Sequence, residues 1–292
     1  MNKKRIYPQW FLIIPLTLYI VFFLLPSVLG LLYSFTDWNA RSLDKINFVG
    51  IQNYKDIFTS NKDYASGIFN TLNFTVISNV IKLIPALFIA IMLQEGLRGK
   101  NVYRTILYLP SILPFLIIGL TFKSIFNYNT GLLNTALDFF HLGFMKQKWL
   151  SDLDVVWKSI FGVDAWRGIG YVMTIFLAGL NTIPRSYYEA AEIDGANFWQ
   201  RLRHITLPML SGSIMINLVF GLTYGLKVFD IIYVLTNGGP GHATEVITTY
   251  AYQLYSTGQY GMSTALNSIL LIITAVIGVI VVKVMSKKEV QQ

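Results

Sequence analysis

The sequence predicts an all-α protein that crosses a membrane several times, and three observations predict it. Of its 292 residues, 54% are hydrophobic and only 13% charged, where soluble domains are about a quarter charged. The charges punctuate apolar runs long enough to cross a bilayer, which takes about 20 largely apolar residues. The aromatic share is 15%, as interfacial belts of Trp and Tyr require.

The first run, Ile6 to Thr36, carries no charge. Lys3, Lys4 and Arg5 before it resemble the start of a secretory signal, but the run is too long and lacks a small-residue cleavage site, so it reads as a retained helix. The second span runs from about Ile68 to Leu93 with Lys82 inside it, and the third from about Thr105 to Ile125 with Lys123. The fourth, about Val155 to Thr182, has a polar first half with Lys158, Asp164 and Arg167. The fifth runs from about Ser211 to Leu235 with Lys227 and Asp230 near its end, and the last from about Met262 to Met285. Six spans place both termini on one side of a single membrane domain over residues 1–292.

Basic residues set the orientation, because cytoplasmic loops are enriched in Lys and Arg. With the termini inside, the inner segments hold 12 of them: Lys3, Lys4, Arg5, Arg98, Lys100, Arg104, Arg185, Arg201, Arg203, Lys283, Lys287 and Lys288. The outer segments hold 6: Arg41, Lys45, Lys55, Lys62, Lys146 and Lys148. The net charge of +8 therefore reads as topology and not as a nucleic-acid surface.

Composition also bounds the chemistry. With no cysteine, there is no thiol nucleophile and no Cys-ligated metal. His141, His204 and His242 lie far apart and give little support to a metal site. A phosphate-binding G-x-x-x-x-G-K-[ST] loop is missing, as are H-E-x-x-H and G-x-S-x-G. The chain is not expected to hydrolyse ATP or to be an intramembrane enzyme.

The inner loop of about residues 184–210 is the most informative stretch. Ser186 and Glu189 have the S-x-x-E spacing of a capping box. Ala190, Ala191, Glu192 and Ile193 continue a short helix, and Gly195 permits the left-handed residue that commonly ends one. A second helical piece from about Asn197 to His204 carries Phe198, Trp199 and Leu202, and Thr206-Leu207-Pro208 is expected to stop it. On physics alone this is either an amphipathic loop on the lipid surface or a docking element.

Resemblance separates the two. Glu189-Ala190-Ala191, Asp194-Gly195-Ala196, then Ile205 and Leu207-Pro208 resemble the EAA loop of ABC importer permeases. Leu202 departs from that pattern, where an aromatic is common, as does the lack of a further proline after Pro208. Other segments resemble the carbohydrate-uptake branch of the family: Ser34 to Trp38, Phe48 to Tyr54, Asn70-Thr71-Leu72, Tyr108-Leu109-Pro110 and Gly131 to Asn134. Lys227-Val228-Phe229-Asp230 followed by Leu235 to Pro240 resembles the larger permease of maltose-type systems.

The resemblance implies a type I importer permease that moves a sugar or oligosaccharide across a bacterial-type plasma membrane. It implies a second permease subunit, two ATP-binding subunits that hold ATP and magnesium, and an extracellular solute-binding protein. No cofactor is expected in this chain and no nucleic-acid partner. Glu189, Ala190, Ala191, Asp194 and Gly195 would dock the ATPase. Counting from the family's motifs carries the sugar contacts to Arg167, Gly168, Tyr171, Gly221, Tyr224, Gly225 and Val228. Tyr171 and Tyr224 suit sugars, offering a ring face and a hydroxyl. Gly225 and Val228 stand where amides would help bind maltose, which argues against maltose, while Arg167 and Lys227 would favour an anionic sugar. Lys227 and Asp230, three apart, are expected to share a helix face and pair, and Asp164 is expected beside Arg167. Lys82 could pair in the core, reach the membrane surface or face the partner permease. An ion-coupled secondary transporter is the alternative, but no matching halves are visible, and the docking loop has no role in that mechanism.

Overall fold

The computed structural model describes residues 9–41, 45–59, 62–96 and 98–289. Lys3, Lys4 and Arg5 lie outside them, and so does the start of the first expected span. The described residues are helical, with a single isolated bridge between Thr36 and Phe48 in place of any strand. They contain four helices long and apolar enough to cross a membrane, or six if each of two bent pairs counts as one span. The chain divides into two compact units, Met1–Ala65 with Tyr250–Ile272, and Ser66–Thr249 with Ile273–Gln292.

In the first unit, α1 (Trp10–Tyr33) exposes apolar side chains such as Phe22 and Leu32 over much of its surface. A helix that is apolar all round belongs in lipid or in a large core. Its end is pinned by α2 (Gln52–Thr59): Asn53 Nδ2 donates to the Ser34 and Thr36 carbonyls, both at 2.8 Å, and Ser34 Oγ meets the Tyr54 hydroxyl at 2.6 Å. The Trp38 ring lies 4.4 Å from Tyr33 and 4.8 Å from Tyr260. Asp37 accepts from the backbone and side-chain nitrogens of Asn47, which holds its carboxyl below the usual range.

The second unit is organised around α3 (Lys62–Gln94), α4 (Lys100–Ile112), α5 (Phe115–Ile125), α6 (Leu132–Phe139) and α7 (Val156–Leu180). α8 (Arg185–Ile193), α9 (Phe198–Met209), α10 (Ser211–Leu226) and α11 (Asp230–Leu235) follow. The chain continues through α12 (Ile247–Ser256) and α13 (Tyr260–Glu289).

The third expected span is not one straight helix. α4 and α5 meet at 96°, because Pro114 drives Leu113 into an extended conformation (φ −69°, ψ 137°) and then itself caps α5. The polar first half of α7 is a regular helix because its polar face is buried by protein: Ser159 and Asp164 are both buried. The fifth expected span is shorter than Ser211–Leu235. α10 ends at Leu226, and the break turns Val228, Ile231 and Ile232 into a core, while the Thr248 hydroxyl takes the freed Val228 carbonyl. Lys227 therefore closes one helix and Asp230 opens the next. They do not share a face, both are exposed, and no ion pair joins them among the described residues.

Two apolar cores result. One gathers Phe74, Ile118, Val156, Ile160, Phe161, Val163, Ile231 and Ile232. The other gathers Ala86, Ala90, Met173, Phe176, Leu177, Leu202 and Leu210. Along α7 the first ends at Val163 and the second begins at Ile169, and along α3 the handover falls between Ile77 and Leu83. Ser78, Asn79 and Lys82 of α3 and Asp164 and Arg167 of α7 sit in that gap.

Candidate functional site

The gap holds a cavity of about 420 Å³. Four helices line it, two of them with residues at i, i+3, i+4 and i+7 and the other two with part of that spacing, which puts each set on one face. α7 gives Asp164, Arg167, Gly168 and Tyr171; α10 gives Asn217, Phe220, Gly221 and Tyr224; α3 gives Asn79, Lys82 and Leu83; α4 gives Tyr108 and Ser111. Glycines let the helices close up. A Cβ on Gly221 would collide with Asn79 Oδ1, and one on Gly170 with the α4 backbone at Leu107.

The electrostatic centre is Asp164. Lys82 Nζ lies 2.9 Å from Asp164 Oδ2, with both side chains buried. Ser78 Oγ donates to the same oxygen at 2.5 Å, and the Tyr224 hydroxyl donates to Oδ1 at 2.7 Å. The ammonium also stands 4.5 Å from the centre of the Tyr224 ring. A carboxylate at membrane depth persists only when paired and hydrogen-bonded, and three partners from α3 and α10 do this for Asp164. The partner expected from sequence was Arg167, which is instead taken by the end of α4 and the start of α5. Its guanidinium lies 3.6 Å from the Phe115 ring centre, and Nη2 makes a long 3.4 Å contact with the Ser111 carbonyl. Ser111 Oγ returns a 2.8 Å hydrogen bond to the Arg167 carbonyl. Arg167 therefore secures α7 against the C-terminal end of α4, just before the bend, where free carbonyls favour a cation.

Two buried polar atoms on the cavity residues have no protein partner: Arg167 Nε, a donor, and Asn217 Oδ1, an acceptor. An unsatisfied buried group is costly, and both atoms are closed off from the cavity's open space.

Of the seven sugar-path residues expected from sequence, Arg167, Gly168, Tyr171, Gly221 and Tyr224 line this cavity. Gly225 does not, since it packs against the Thr75 backbone with 2.7 Å between its would-be Cβ and Thr75 Cα. Val228 is 2% exposed and belongs to the apolar core. The two tyrosines differ. Tyr224 is already used, its hydroxyl by Asp164 and its ring by Phe115, parallel at 6.0 Å. Tyr171 is 41% exposed, meets Phe220 edge-on, and its hydroxyl has no protein hydrogen bond. Sequence reasoning passed over Ser78, Asn79 and Asn217. Their signal was polar spacing within otherwise apolar helices, Ser78-Asn79 with Lys82 and Asn217 with Gly221.

The inner loop forms the expected helix–turn–helix, built by different caps. α8 starts at Arg185 with Pro184 as its N-cap and no side-chain cap. Ser186 is already inside the first turn, so the Ser186–Glu189 capping box does not form. The box that forms is Asn197 with Gln200, each accepting from the other's backbone nitrogen at 3.0 and 2.8 Å. Gly195 sits at φ +74°, and the Ala196 N–H reaches the Ala191 carbonyl at 2.8 Å while the Gly195 N–H reaches Glu192 at 3.1 Å. This is the double bond of a left-handed helix stop. Thr206-Leu207-Pro208 does not stop α9. A π-turn over Leu202–Thr206 carries the helix to Met209, and α10 leaves at 70°. The Tyr188 hydroxyl holds Thr206 Oγ1 at 3.1 Å, tying α8 to α9. Glu189, Ala190, Asp194 and Gly195 are exposed and Ala191 half-buried, with Tyr187, Ile193 and Trp199 exposed beside them.

A family model described as the binding-protein-dependent transport system inner membrane component matches residues 86–288. The chain belongs to this family. Among sugar permeases it is similar to the multiple sugar-binding transport system permease protein MsmF of Streptococcus mutans, at 36% identity over 99% of each chain. The trehalose/maltose transport system permease protein MalF of Thermococcus litoralis is 34% identical over 94% of this chain and 92% of its own. A subunit of a bacterial ABC transporter for import of the acidic polysaccharide alginate, known from a crystal structure, shares the fold with a TM-score of 0.82, 23% identity and 96% coverage of both chains. The all-α, multi-pass fold of a type I importer permease read from the sequence is thus the fold found. The protein is a transport permease and not itself an enzyme.

Proposed function

We propose that this chain is one of two permease subunits of an ATP-driven importer, and that a sugar or oligosaccharide crosses the membrane through the cavity between its two apolar cores. The observation that carries the reading is a cavity lined by Arg167, Gly168, Tyr171, Gly221 and Tyr224, in which Tyr171 is 41% exposed and its hydroxyl has no protein hydrogen bond. A sugar has hydroxyls that both donate and accept, and C–H faces that pack on an aromatic ring. An external solute-binding protein would deliver it. Two ATP-binding subunits, holding ATP and magnesium, would grip the surface of Glu189, Ala190, Ala191, Asp194 and Gly195. The named relatives handle trehalose, maltose and other sugars, which supports a saccharide cargo. Both termini would face the cytoplasm.

The ion-coupled alternative gives the exposed loop nothing to do. Co-purification separates the two. Pulling on a tagged chain from its native membrane should bring down an ATP-binding subunit and a second permease. Recovery of the chain free of any ATPase would remove the proposal.

A further inference from the structure

The short helix α6 and the turn after it bury a polar side chain while exposing large apolar ones. Asn134 points inward and is 2% exposed. Its Nδ2 donates to the Tyr128 and Gln147 carbonyls at 3.0 and 3.2 Å, and its Oδ1 accepts from Trp149 Nε1 at 2.8 Å. The opposite face carries Leu132, Ala136 and Phe139 over about two turns, with Leu132 68% and Phe139 79% exposed. Phe140 and Phe144 extend the patch. The exposed charge beside it is cancelled, since Lys146 holds Asp138 at 2.7 Å. The Asn134 bonds and a left-handed stop at His141 (φ 58°) fix the hairpin in this orientation.

We infer that this hairpin is an interfacial anchor whose occupant is the bilayer itself, with Phe139, Phe140 and Phe144 set at the boundary of headgroups and acyl chains. Continuity argues for lipid. α6 follows α5 after a tight turn at residues 126–131, and α5 exposes Leu116, Ile117 and Leu120 as a membrane-crossing helix does. The aromatic residues with nearby Lys148 are the composition of a membrane interface, and a fixed helix lying in that plane buries its apolar face by a few ångströms. With Asp138 and Lys146 paired to each other, the hairpin offers little charge for steering a protein partner. The anchor would hold the bend between α4 and α5 at a set depth.

The chain has no cysteine, so Phe139→Cys and Phe144→Cys place single nitroxide labels on the intact chain in lipid nanodiscs. Relaxation by oxygen, which concentrates in lipid, should exceed relaxation by a water-soluble nickel chelate at both positions. Nickel exceeding oxygen would put the hairpin in water, and protection from both would mean that protein covers it; either result overturns the anchor. A carbene-generating group on the acyl chains of the lipid tests the unsubstituted chain. Labelling should fall within residues 132–145, and its absence there would overturn the inference even if the cysteine variants misfold.

Discussion

Removing Lys82 while keeping Asp164 should damage the protein far more than removing both charges. In the native chain the ammonium lies 2.9 Å from a carboxylate that is itself buried and takes two further hydrogen bonds. Lys82→Met leaves that carboxylate ionised and unmatched, or forces it to take up a proton. Breaking a buried pair from one side costs about 3–5 kcal/mol. At roughly 2 °C per kcal/mol for a chain of this size, the unfolding midpoint should fall by roughly 6–10 °C. Asp164→Asn leaves a buried ammonium and should cost a similar amount. The double variant Lys82→Met with Asp164→Asn has no buried charge, keeps an acceptor for Tyr224 and an amide N–H for the Ser78 hydroxyl to accept, and should recover most of the loss. The assay is a double-mutant cycle on the thermal midpoint of the purified complex in one detergent. If the double variant were as unstable as the sum of the two single ones, the charges would not be coupled, and the account of the cavity's electrostatic centre would be wrong.

Other outcomes follow from the same geometry. Tyr171→Ala should raise the half-saturating sugar concentration about tenfold or more, since a lost polar contact costs roughly 1–3 kcal/mol, with complex assembly unchanged; saturation curves for uptake check it. Tyr224→Phe should weaken the Asp164 network and lower the thermal midpoint while affecting sugar affinity less than Tyr171→Ala, and equal effects on affinity would refute that division of labour. Gly195→Asp should impair ATPase docking with insertion intact. Nothing lies within 4 Å of its would-be Cβ, so the cost is about 1–2 kcal/mol of left-handed strain plus a carboxylate beside Asp194 at a helix C-terminus. Gly195→Ala carries the strain alone and should be milder in pull-down and in stimulated ATP hydrolysis. A reporter after Lys288 should sit in the cytoplasm and one within Asn237–His242 outside, and both on one side would end the six-span topology.

The spans were legible because apolar runs of bilayer length have few other meanings, and Gly195 was legible because a glycine after a short helical run usually takes positive φ. The bends were not. Pro114 announces a break, but its 96° angle is set by how α5 packs against α11 and α7. The cap of α8 was misread because S-x-x-E is a plausible box, but α8 already starts at Arg185, ahead of Ser186, while the Asn197–Gln200 box caps the separate helix α9. In the cavity, one-dimensional spacing suggested local pairs, Asp164 with Arg167 and Lys227 with Asp230. The real ion pair of the cavity is between Lys82 and Asp164, which lie on different helices. Counting along a motif reached five cavity residues but also Gly225, which faces Thr75 and not the cavity, and Val228, which lies beyond the end of α10 at Leu226.

Transport in proteoliposomes tests the central claim most directly. The chain is reconstituted with its co-purified partners, with ATP and magnesium on the side of the ATPase and the cognate binding protein loaded with labelled oligosaccharide on the other. The account predicts accumulation that requires both ATP and the binding protein, persists when proton and sodium gradients are collapsed, and falls sharply in Gly195→Asp. Accumulation driven by an ion gradient without ATP, and indifferent to Gly195→Asp, would contradict it.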